Sequence, residues 1–408
     1  MSYVEELIAQ LAPNGVDRKA LGEVGTLIRG NGLQKSDLRD EGVPAVHYGQ
    51  IHTFYGVSTA ETKSFTDEAI AVKLRHAKPG DLLIATTSED DDAVAKATAW
   101  LGATDVVLSG DAYIYRHELN PMYVAYFFQS TSFQDQKRRY ISGTKVRRIS
   151  GESLAKIQIP VPPTRVQEAI VDILDRFSGL ETELQATIDA ELGARRLQYA
   201  HFLSLLTRVN GDVPLVPLGE IAEFKYGYTD KASLSGTHRF IRITDIGSHG
   251  RLLADGAKYV SPEGSADEYL VKVGDLLMAR TGGTFGKTML FDSEEPSVYA
   301  SFLIRIRFPD GTLLPAYYWY FAQSTAYWDQ ANALVSTGGQ PQFNANALKR
   351  VIVPVPSTGA QQKVVERLRR LESAATELND SLVNERAARR RQYEHYRDRL
   401  FTFKELAR

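Results

Sequence analysis

The sequence contains no cysteine, which excludes disulfides and cysteine-ligated metal sites. It also lacks any uninterrupted apolar run of about 18 residues, the length that a membrane-spanning helix needs, so we expect no membrane contact. Neither sign of charge dominates, since 48 basic and 50 acidic residues give a formal net charge of −2. Such a balance leaves nucleic-acid binding open, because binding depends on where the basic residues lie. The absence of cysteine and of a signal-like N-terminus predicts a cytoplasmic protein.

What the chain does contain is a long internal repeat. Residues 154–206 align with residues 348–400 at a constant offset of 194 and without a gap. The matched pairs include Pro160 with Pro354, Pro162 with Pro356, Gln167 with Gln361, Arg195 with Arg389, and Tyr199 with Tyr393. A repeat with so long a period indicates a duplicated half-protein rather than a solenoid.

Each copy of the repeat predicts one long helix. Apolar residues step by three and four, as in a coiled-coil seam. In the first copy these are Val166, Ile170, Leu174, Phe177, Leu180, Leu184, Ile188 and Leu192, and in the second Val364, Leu368, Leu371, Ala375, Leu378 and Leu382. A helix of roughly 44 residues spans about 65 Å. We expect the two helices to pack antiparallel as a rigid spacer.

The segments between the repeats predict two strand-rich modules of one design. Gly80-Asp81 matches Gly274-Asp275 at the same offset, whereas the turn at 142–150 differs from the turn at 336–344. The scaffold is therefore shared and the surfaces differ. The sequence predicts an α+β fold with a pseudo-twofold internal repeat. Its parts are an N-terminal helix at 1–15 that completes the last repeat, a mixed α/β module at 16–158, a helical spacer at 159–211, a second module at 212–352, and a second spacer at 353–408.

No motif of a catalytic site is complete. The loop at 280–288 resembles a phosphate-binding loop, but Thr281 stands where that motif requires glycine. The tetrad at 120–123 differs by one residue from that of amino-methyltransferases, and no glycine-rich cofactor loop precedes it. The eight histidines show no metal-ligand spacing, so we expect no metal site. Because no catalytic set occurs in both halves, the sequence predicts a binding protein rather than an enzyme.

Basic and polar residues cluster near the turns that differ between the halves. Six basic residues and no acid lie within the twelve residues 137–148: Lys137, Arg138, Arg139, Lys145, Arg147 and Arg148. A charge run is often only a solvated face, but lysine and arginine also neutralise phosphates, and glutamine, which is frequent at 336–342, bonds adenine edges. Two further pairs of matched polar positions, His47 with Arg242 and Gln50 with Asp245, fit either a reading role or buried hydrogen bonds.

The order of these features resembles one family over essentially the whole chain. Two modules each begin with Leu-Gly-Glu, carry a Gly-Asp-Leu-Leu strand and end in a Pro-Val-Pro segment before a glutamine-bearing helix. Together with the segments at 30–38 and 142–150, this plan is similar to the DNA specificity subunit of type I restriction–modification systems. The resemblance implies two target recognition domains that each read one half of a split, asymmetric DNA target.

The resemblance also implies a bacterial or archaeal source and a set of partners. The subunit would bind double-stranded DNA, two methyltransferase subunits and two translocase–endonuclease subunits. It would hold no cofactor itself, since S-adenosylmethionine, ATP and Mg²⁺ belong to those partners. The rival interpretation is a protein-binding scaffold with two divergent modules and no DNA. A self-contained restriction enzyme would need a catalytic domain that these residues lack.

Candidate site residues follow from the clusters and from the resemblance. The residues expected to contact phosphates or bases are Lys35, Arg139, Lys145, Arg147, Arg148, Lys225, Arg280 and Lys287. The residues expected to read bases are His47, Gln50, Arg242, Asp245, Gln340 and Gln342. The residues expected to bind a partner subunit are Gln167, Arg195, Gln361 and Arg389.

Overall fold

The computed structural model describes residues 3–207, 213–247, 249–262, 266–336 and 341–406, without the side chains of Leu206 and Ala266. The chain divides into two compact units. Unit 1 comprises residues 1–187 and 384–408, and unit 2 comprises residues 188–383. The division passes through both long helices, and the five segment bounds expected from the sequence stay a prediction.

Unit 1 combines a strand-rich segment with short helices. Its strands are β1 Asp17–Ala20, β2 Gly25–Arg29, β3 Val43–Val46, β4 Ser58–Thr59, β5 Ser64–Thr66, β6 His76–Ala77, β7 Leu82–Ala85, β8 Thr87–Ser88, β9 Lys96–Trp100, β10 Val106–Leu108, β11 Ala112–His117, β12 Arg147–Arg148 and β13 Gln158–Val161. Its helices are α1 Tyr3–Leu11, α2 Leu21–Val24, α3 Tyr48–Thr53, α4 Glu68–Ala71, α5 Pro121–Gln129, α6 Thr131–Arg138, α7 Gly151–Ala155, the first part of α8 Thr164–Thr207, and residues 384–400 at the end of the last long helix.

A five-stranded sheet with the order β2-β11-β7-β9-β4 forms the centre of unit 1. Successive residues of a strand point to opposite faces, and β7 is apolar at every position. Leu82 and Ile84 therefore join the core that contains α5, whereas Leu83 and Ala85 join the core around Trp100. The sheet is thus buried on both faces. A second sheet has the order β5-β3-β10-β6, and β1 pairs with β13.

Unit 2 repeats this plan with fewer elements among its described residues. Its strands are β14 Leu215–Pro217, β15 Glu223–Tyr226, β16 His238–Ile241, β17 Tyr259–Val260, β18 Leu276–Ala279, β19 Thr288–Leu290, β20 Ser297–Tyr299, β21 Leu303–Arg307 and β22 Ile352–Pro354. Its helices, besides the end of α8, are α9 Leu218–Ile221, α10 Pro315–Phe321, α11 Thr325–Leu334, α12 Ala345–Leu348 and the first part of α13 Thr358–Leu400. The sheets have the orders β15-β21-β18-β19, β17-β16-β20 and β14-β22. The shared plan confirms the predicted α+β fold and its internal repeat.

The helical segments before the Pro-Val-Pro turns also match. The sequence predicts helices at 121–138 and 315–331, and each is divided in two by a serine. Ser130 Oγ accepts a hydrogen bond from the Phe133 amide, and Ser324 Oγ accepts one from the Tyr327 amide. Serine is a favoured N-cap because its hydroxyl satisfies an amide that the first helical turn leaves free.

The two long helices pair antiparallel, as expected. In unit 1 the ring of Phe177 stacks on Tyr396 at 5.8 Å, and Arg386 donates to Gln185 at 3.2 Å. The partner's number falls as the number along α8 rises, which defines the antiparallel sense. The expected seam is wrong at Leu180, whose side chain is 62% exposed. None of the described helices is long and apolar enough to cross a membrane.

The N-terminal helix lies beside the C-terminal residues of the chain. Val4 and Leu7 of α1 share one core with Phe401 and Phe403. The Val16 amide also donates to the carbonyl of Lys404 at 2.9 Å. A contact of this kind is required if segment 1–15 completes the last repeat. That the segment does so stays a prediction.

The apolar patterns at 21–30 and 44–51 predict strands, but both segments also contain helical turns. Residues 21–30 open with α2 before β2, and residues 44–51 leave β3 at Val46 and enter α3. The apolar pattern of these short segments suits a strand, but a local hydrogen bond at each helix start decides otherwise. This difference matters for His47 and Gln50, which lie at the second of these helix starts.

Candidate functional site

The matched Gly-Asp segments fix the sheet of each unit through an ion pair. Arg116 Nη2 lies 2.8 Å from Asp81 Oδ2 in unit 1, and Arg307 Nε lies 2.7 Å from Asp275 Oδ1 in unit 2. Both aspartates are buried, at 4% and 7% exposure, and each raises the pKa of its arginine through hydrogen bonding. The arginines are separated by 191 residues rather than 194, so the comparison of the halves at one offset does not reveal the pairs.

Equivalent turns follow β3 in unit 1 and β16 in unit 2, and the matched polar residues close both of them. The His47 amide donates to Gln50 Oε1 at 2.9 Å, and the Arg242 amide donates to Asp245 Oδ2 at 2.7 Å. Gln50 Nε2 also donates to Ser64 Oγ at 2.8 Å, and Arg242 Nη2 lies 2.7 Å from Asp245 Oδ1. The structure therefore uses these side chains in internal hydrogen bonds, the second of the two roles that the sequence leaves open. Their role in reading bases stays a prediction.

The environment of His47 disfavours its charged form. Partial burial, followed by the nearby charge of Lys35, lowers the pKa of the imidazole, and Asp111 opposes this shift. Lys35 itself is exposed, on a short 3₁₀ turn at Lys35–Asp37. Lys35, an expected phosphate or base contact, thus lies near enough to His47, an expected reading residue, for its charge to favour the neutral imidazole.

The basic cluster at 137–148 is not one uniform surface. Lys137 is completely buried, and its Nζ donates to the carbonyls of Asp92 and Val94 at 3.0 and 2.9 Å. Burial lowers the pKa of Lys137 to about 8. This lysine fixes the acidic loop, which we define as residues 89–92, and it is not part of the exposed face.

The acidic loop lies against the rest of the basic cluster. Arg147 Nε lies 2.8 Å from Asp91 Oδ1, and Arg138 Nη2 lies 3.5 Å from Asp92 Oδ1. Arg139, Lys145 and Arg148 are exposed, and within the described ranges their side chains form no hydrogen bond or ion pair. These three are therefore the cations of the cluster that a phosphate can reach without displacing an acid.

The turn that carries this cluster has a counterpart in unit 2. Backbone bridges join Ser142 to Arg148 and, 194 residues later, Ser336 to Gln342. Arg148 and Gln342 consequently occupy the same structural position, and both are exposed. Gly143 begins the first turn with a φ of 94°, a left-handed conformation that favours glycine.

Gln340 lies outside the described residues, and its role in reading bases stays a prediction.

The other predicted DNA contacts of unit 2 differ in whether their side chains already have a polar partner. Lys225 Nζ lies 2.6 Å from Glu268 Oε2 and lines a pocket of about 430 Å³ with Arg305, Arg307 and Lys349. Lys287 is half-buried, and its side chain has no polar partner within the described part of the chain.

Arg280 is held between two aromatic rings. Its guanidinium carbon lies 5.3 Å from the Tyr226 ring centroid and 5.5 Å from that of Phe302. The sequence alone does not indicate these two rings, because they lie far from Arg280 along the chain and only strand pairing brings the three together. No local sequence signal could have revealed them.

The predicted partner-binding glutamines are buried inside their units. Gln167 Oε1 accepts from the Asn120 amide at 3.0 Å, and its Nε2 donates to the Pro162 carbonyl at 2.8 Å. Gln361 makes the equivalent bonds with the Leu314 amide and the Pro356 carbonyl. Their exposures are 3% and 0%, so neither side chain lies on a surface. Each glutamine ties a long helix to the loop before α5 or α10, and a contact with a partner subunit stays a prediction.

The predicted partner-binding arginines are exposed and form equivalent clusters. Arg195 Nε lies 2.8 Å from Glu191 Oε1, and its Nη1 donates to Gln198. Arg389 repeats both contacts with Glu385 and Gln392. These side chains are available on the helix surface, in contrast to the buried glutamines.

The fold and these matched positions define a duplicated protein with two recognition modules and a long helical pair. A family model described as the type I restriction modification DNA specificity domain matches residues 13–194 and 210–385. These matches cover most of the chain. The chain therefore belongs to the family of type I restriction–modification DNA specificity subunits and has two DNA specificity domains.

Individual relatives agree with this family. The chain is 28% identical to the specificity subunit of the Escherichia coli type I enzyme EcoR124I/EcoR124II, over 66% of each chain. It is 23% identical to the EcoKI specificity subunit of Escherichia coli K12, over 91% of this chain and 85% of that one. The chain thus aligns with about two thirds of the first of these relatives.

Solved structures show the same fold. A chain from a study of complex assembly and conformational transition of the type I R-M system superposes with a TM-score of 0.75 at 16% identity, covering 95% of this chain and 97% of that chain. The HsdS subunit of Thermoanaerobacter tengcongensis has a TM-score of 0.59, also at 16% identity and with the same coverage.

Proposed function

We propose that this chain reads a bipartite, asymmetric double-stranded DNA target, one half with each unit. The observation that carries the proposal is the equivalence of Arg148 and Gln342, which occupy one structural position with different chemistry. An arginine donates to guanine or to a phosphate, whereas a glutamine bonds adenine. Two modules that share a scaffold but differ at such positions suit two different half-targets. The expectation that the target is asymmetric follows from this difference.

The chain acts as an adaptor for enzymes that it does not contain. It docks two methyltransferase subunits, and with them two translocase–endonuclease subunits, and it is itself not catalytic. It holds no cofactor, because S-adenosylmethionine, ATP and Mg²⁺ belong to the partner subunits. The assembly works in the cytoplasm. The matched clusters around Arg195 and Arg389 support docking on the helical pair, since an identical arrangement in both copies can receive two copies of one partner.

Modified-base sequencing of genomic DNA tests the proposal. Cells that express the methyltransferase partner are compared with and without this gene. We expect a split, asymmetric adenine-methylation motif that disappears with the gene. An unchanged methylation pattern, with the methyltransferase shown to be expressed, would instead favour a protein-binding scaffold.

A further inference from the structure

The guanidinium of Arg280 is fixed on one edge and open on the other. Its Nε donates to the Ser301 carbonyl at 3.0 Å, and the rings of Tyr226 and Phe302 flank the group. Within the described residues, neither Nη1 nor Nη2 has a hydrogen bond or an ion pair. The free edge therefore presents two N–H donors side by side, the arrangement that binds two neighbouring acceptors at once.

The two rings beside Arg280 are themselves exposed to solvent. Tyr226 is 43% exposed and Phe302 is 52% exposed. The hydroxyl of Tyr226 accepts a hydrogen bond from the Ala345 amide at 3.1 Å, which restrains the ring. A planar guanidinium stacks on aromatic faces, so these rings limit its rotation and reduce the entropy that a bidentate contact would cost.

Unit 1 carries different residues at these three positions. The Arg280 amide donates to the Phe302 carbonyl at 3.0 Å, and the Thr86 amide donates to the Asp111 carbonyl at 3.1 Å in the same place of its sheet. The strand pairing likewise places Arg29 where unit 2 has Tyr226. Arg280, Phe302 and Tyr226 of unit 2 thus correspond to Thr86, Asp111 and Arg29 of unit 1. The backbone is common to both units and the presented chemistry is not.

We propose that Arg280 reads a guanine in the half-target of unit 2, with Nη1 and Nη2 donating to O6 and N7 of that base. Tyr226 and Phe302 are positioning residues that hold the guanidinium in the reading orientation. The inference rests on the proposed function, which it deepens by naming one base and the residue that reads it. A phosphate also accepts two hydrogen bonds, but a phosphate gains nothing from two exposed apolar rings beside it. A base edge in the major groove offers flat and methyl-bearing surfaces that such rings can cover.

The test uses this chain assembled with its methyltransferase partner and a set of duplexes. Each base pair of the half-target read by unit 2 is replaced in turn, and methylation rates are compared for the wild type and for Arg280→Gln. We expect the wild type to prefer one G·C pair by about 5- to 150-fold, the range that corresponds to one bidentate base contact. Arg280→Gln should lose that preference and retain the preferences at the other positions.

Two further variants separate a reading role from a structural one. Phe302→Ala should weaken the preference at the same G·C pair, and Phe302→Tyr, which keeps the ring, should restore it. Arg350→Gln is the matched control, because Arg350 is exposed in the same unit and its side chain has no polar partner within the described ranges. It should leave every preference unchanged.

The possible failures are distinct. A uniform loss of rate over all duplexes in Arg280→Gln would indicate a phosphate contact and overturn the guanine assignment. An Arg280→Gln profile identical to that of the wild type would overturn it as well. If the wild-type assembly methylates no split target at all, the proposed function fails and the inference fails with it.

Discussion

Arg147 Nε lies 2.8 Å from Asp91 Oδ1, so one of the predicted phosphate contacts is paired with a carboxylate of its own chain. The two side chains are 35% and 49% exposed. An exposed ion pair of this kind contributes at most about 1 kcal/mol to stability. Its larger effect is competition, because Arg147 can neutralise a phosphate only after it leaves Asp91.

Asp91→Asn should therefore increase the affinity for DNA of any sequence. Release of Arg147 removes a competing interaction of about 1 kcal/mol or less, so we expect a gain of roughly 2- to 5-fold. The plot of log affinity against log salt should steepen by about 0.9, the contribution of one additional neutralised phosphate. Fluorescence anisotropy with a non-target duplex at several salt concentrations measures both quantities. Glu41→Gln makes the same change of charge at an exposed residue whose side chain has no polar partner among the described residues, and an equal gain there would contradict the role given to Asp91.

Gln361→Ala should destabilise unit 2. Gln361 is fully buried and satisfies the Leu314 amide together with the carbonyls of Thr312 and Pro356. Its removal leaves buried polar groups without partners, which costs about 1–3 kcal/mol. Urea unfolding followed by the fluorescence of Trp319 and Trp328 should show an earlier transition. The exposed neighbour in the Gln362→Ala variant is the control, and equal effects of the two substitutions would contradict this account.

The stability of unit 1 should depend on pH through Lys137. Burial lowers the pKa of this lysine from 10.5 to about 8 in the folded state. Between these values the unfolded chain binds more protons than the folded chain, so this group makes stability rise with pH from about 8 to 10.5. Below pH 8 both states are protonated and the unfavourable effect is constant.

Lys137→Met should remove this dependence. We measure the free energy of unfolding of the wild type and the variant at pH 7.5 and pH 10, and compare the differences so that groups common to both proteins cancel. The wild type should gain up to about 3 kcal/mol relative to the variant over this interval. Lys145→Met, at an exposed position of the same cluster, should follow the wild type. Parallel pH profiles for the wild type and Lys137→Met would show that Lys137 is not perturbed.

Asp275→Ala should loosen the central sheet of unit 2, and Asp81→Ala that of unit 1. Asp275 accepts from Arg307 at 2.7 Å and from the Lys272 amide at 3.0 Å, so its loss leaves two donors unsatisfied. We expect about 1–3 kcal/mol of destabilisation from each substitution. Hydrogen exchange resolved by peptide should show faster exchange only in the sheet of the altered unit. Asp310→Ala, at an exposed loop position, should leave exchange unchanged, and a chain-wide effect of any of these variants would argue against a local role.

The duplication made much of the fold predictable. The constant offset predicts the internal repeat and the apolar steps predict the two long helices, and both are confirmed, although Leu180 of the expected seam is exposed. Pro121 predicts the start of a helix, and α5 begins there. The antiparallel pairing followed from the repeat, because two long amphipathic helices can cover each other's apolar seam in this way. Segment 44–51 was harder, since its short apolar run suits a strand until His47 and Gln50 close a helical turn.

The site was less predictable because its residues meet only through tertiary pairing. Lys137 belongs to a run of basic residues, and nothing in that run shows that two distant carbonyls bury its ammonium group. The comparison of the two repeats also pointed to Gln361, but it did not indicate that this side chain is buried inside the unit. The rings around Arg280 come from the end of β15 and from the residue before β21, and only the register of β15, β18 and β21 brings them to one place.

The composition of unit 1 has a consequence for the synthesis of the chain. Its core includes Phe401 and Phe403, so residues 1–187 leave the ribosome with part of their apolar surface uncovered. At roughly 5–20 residues per second, the covering residues follow on the order of 10–40 s later. All residues of unit 2 are made before them. Unit 1 is therefore completed after unit 2, and a ribosome that stops before residue 401 damages unit 1 rather than unit 2.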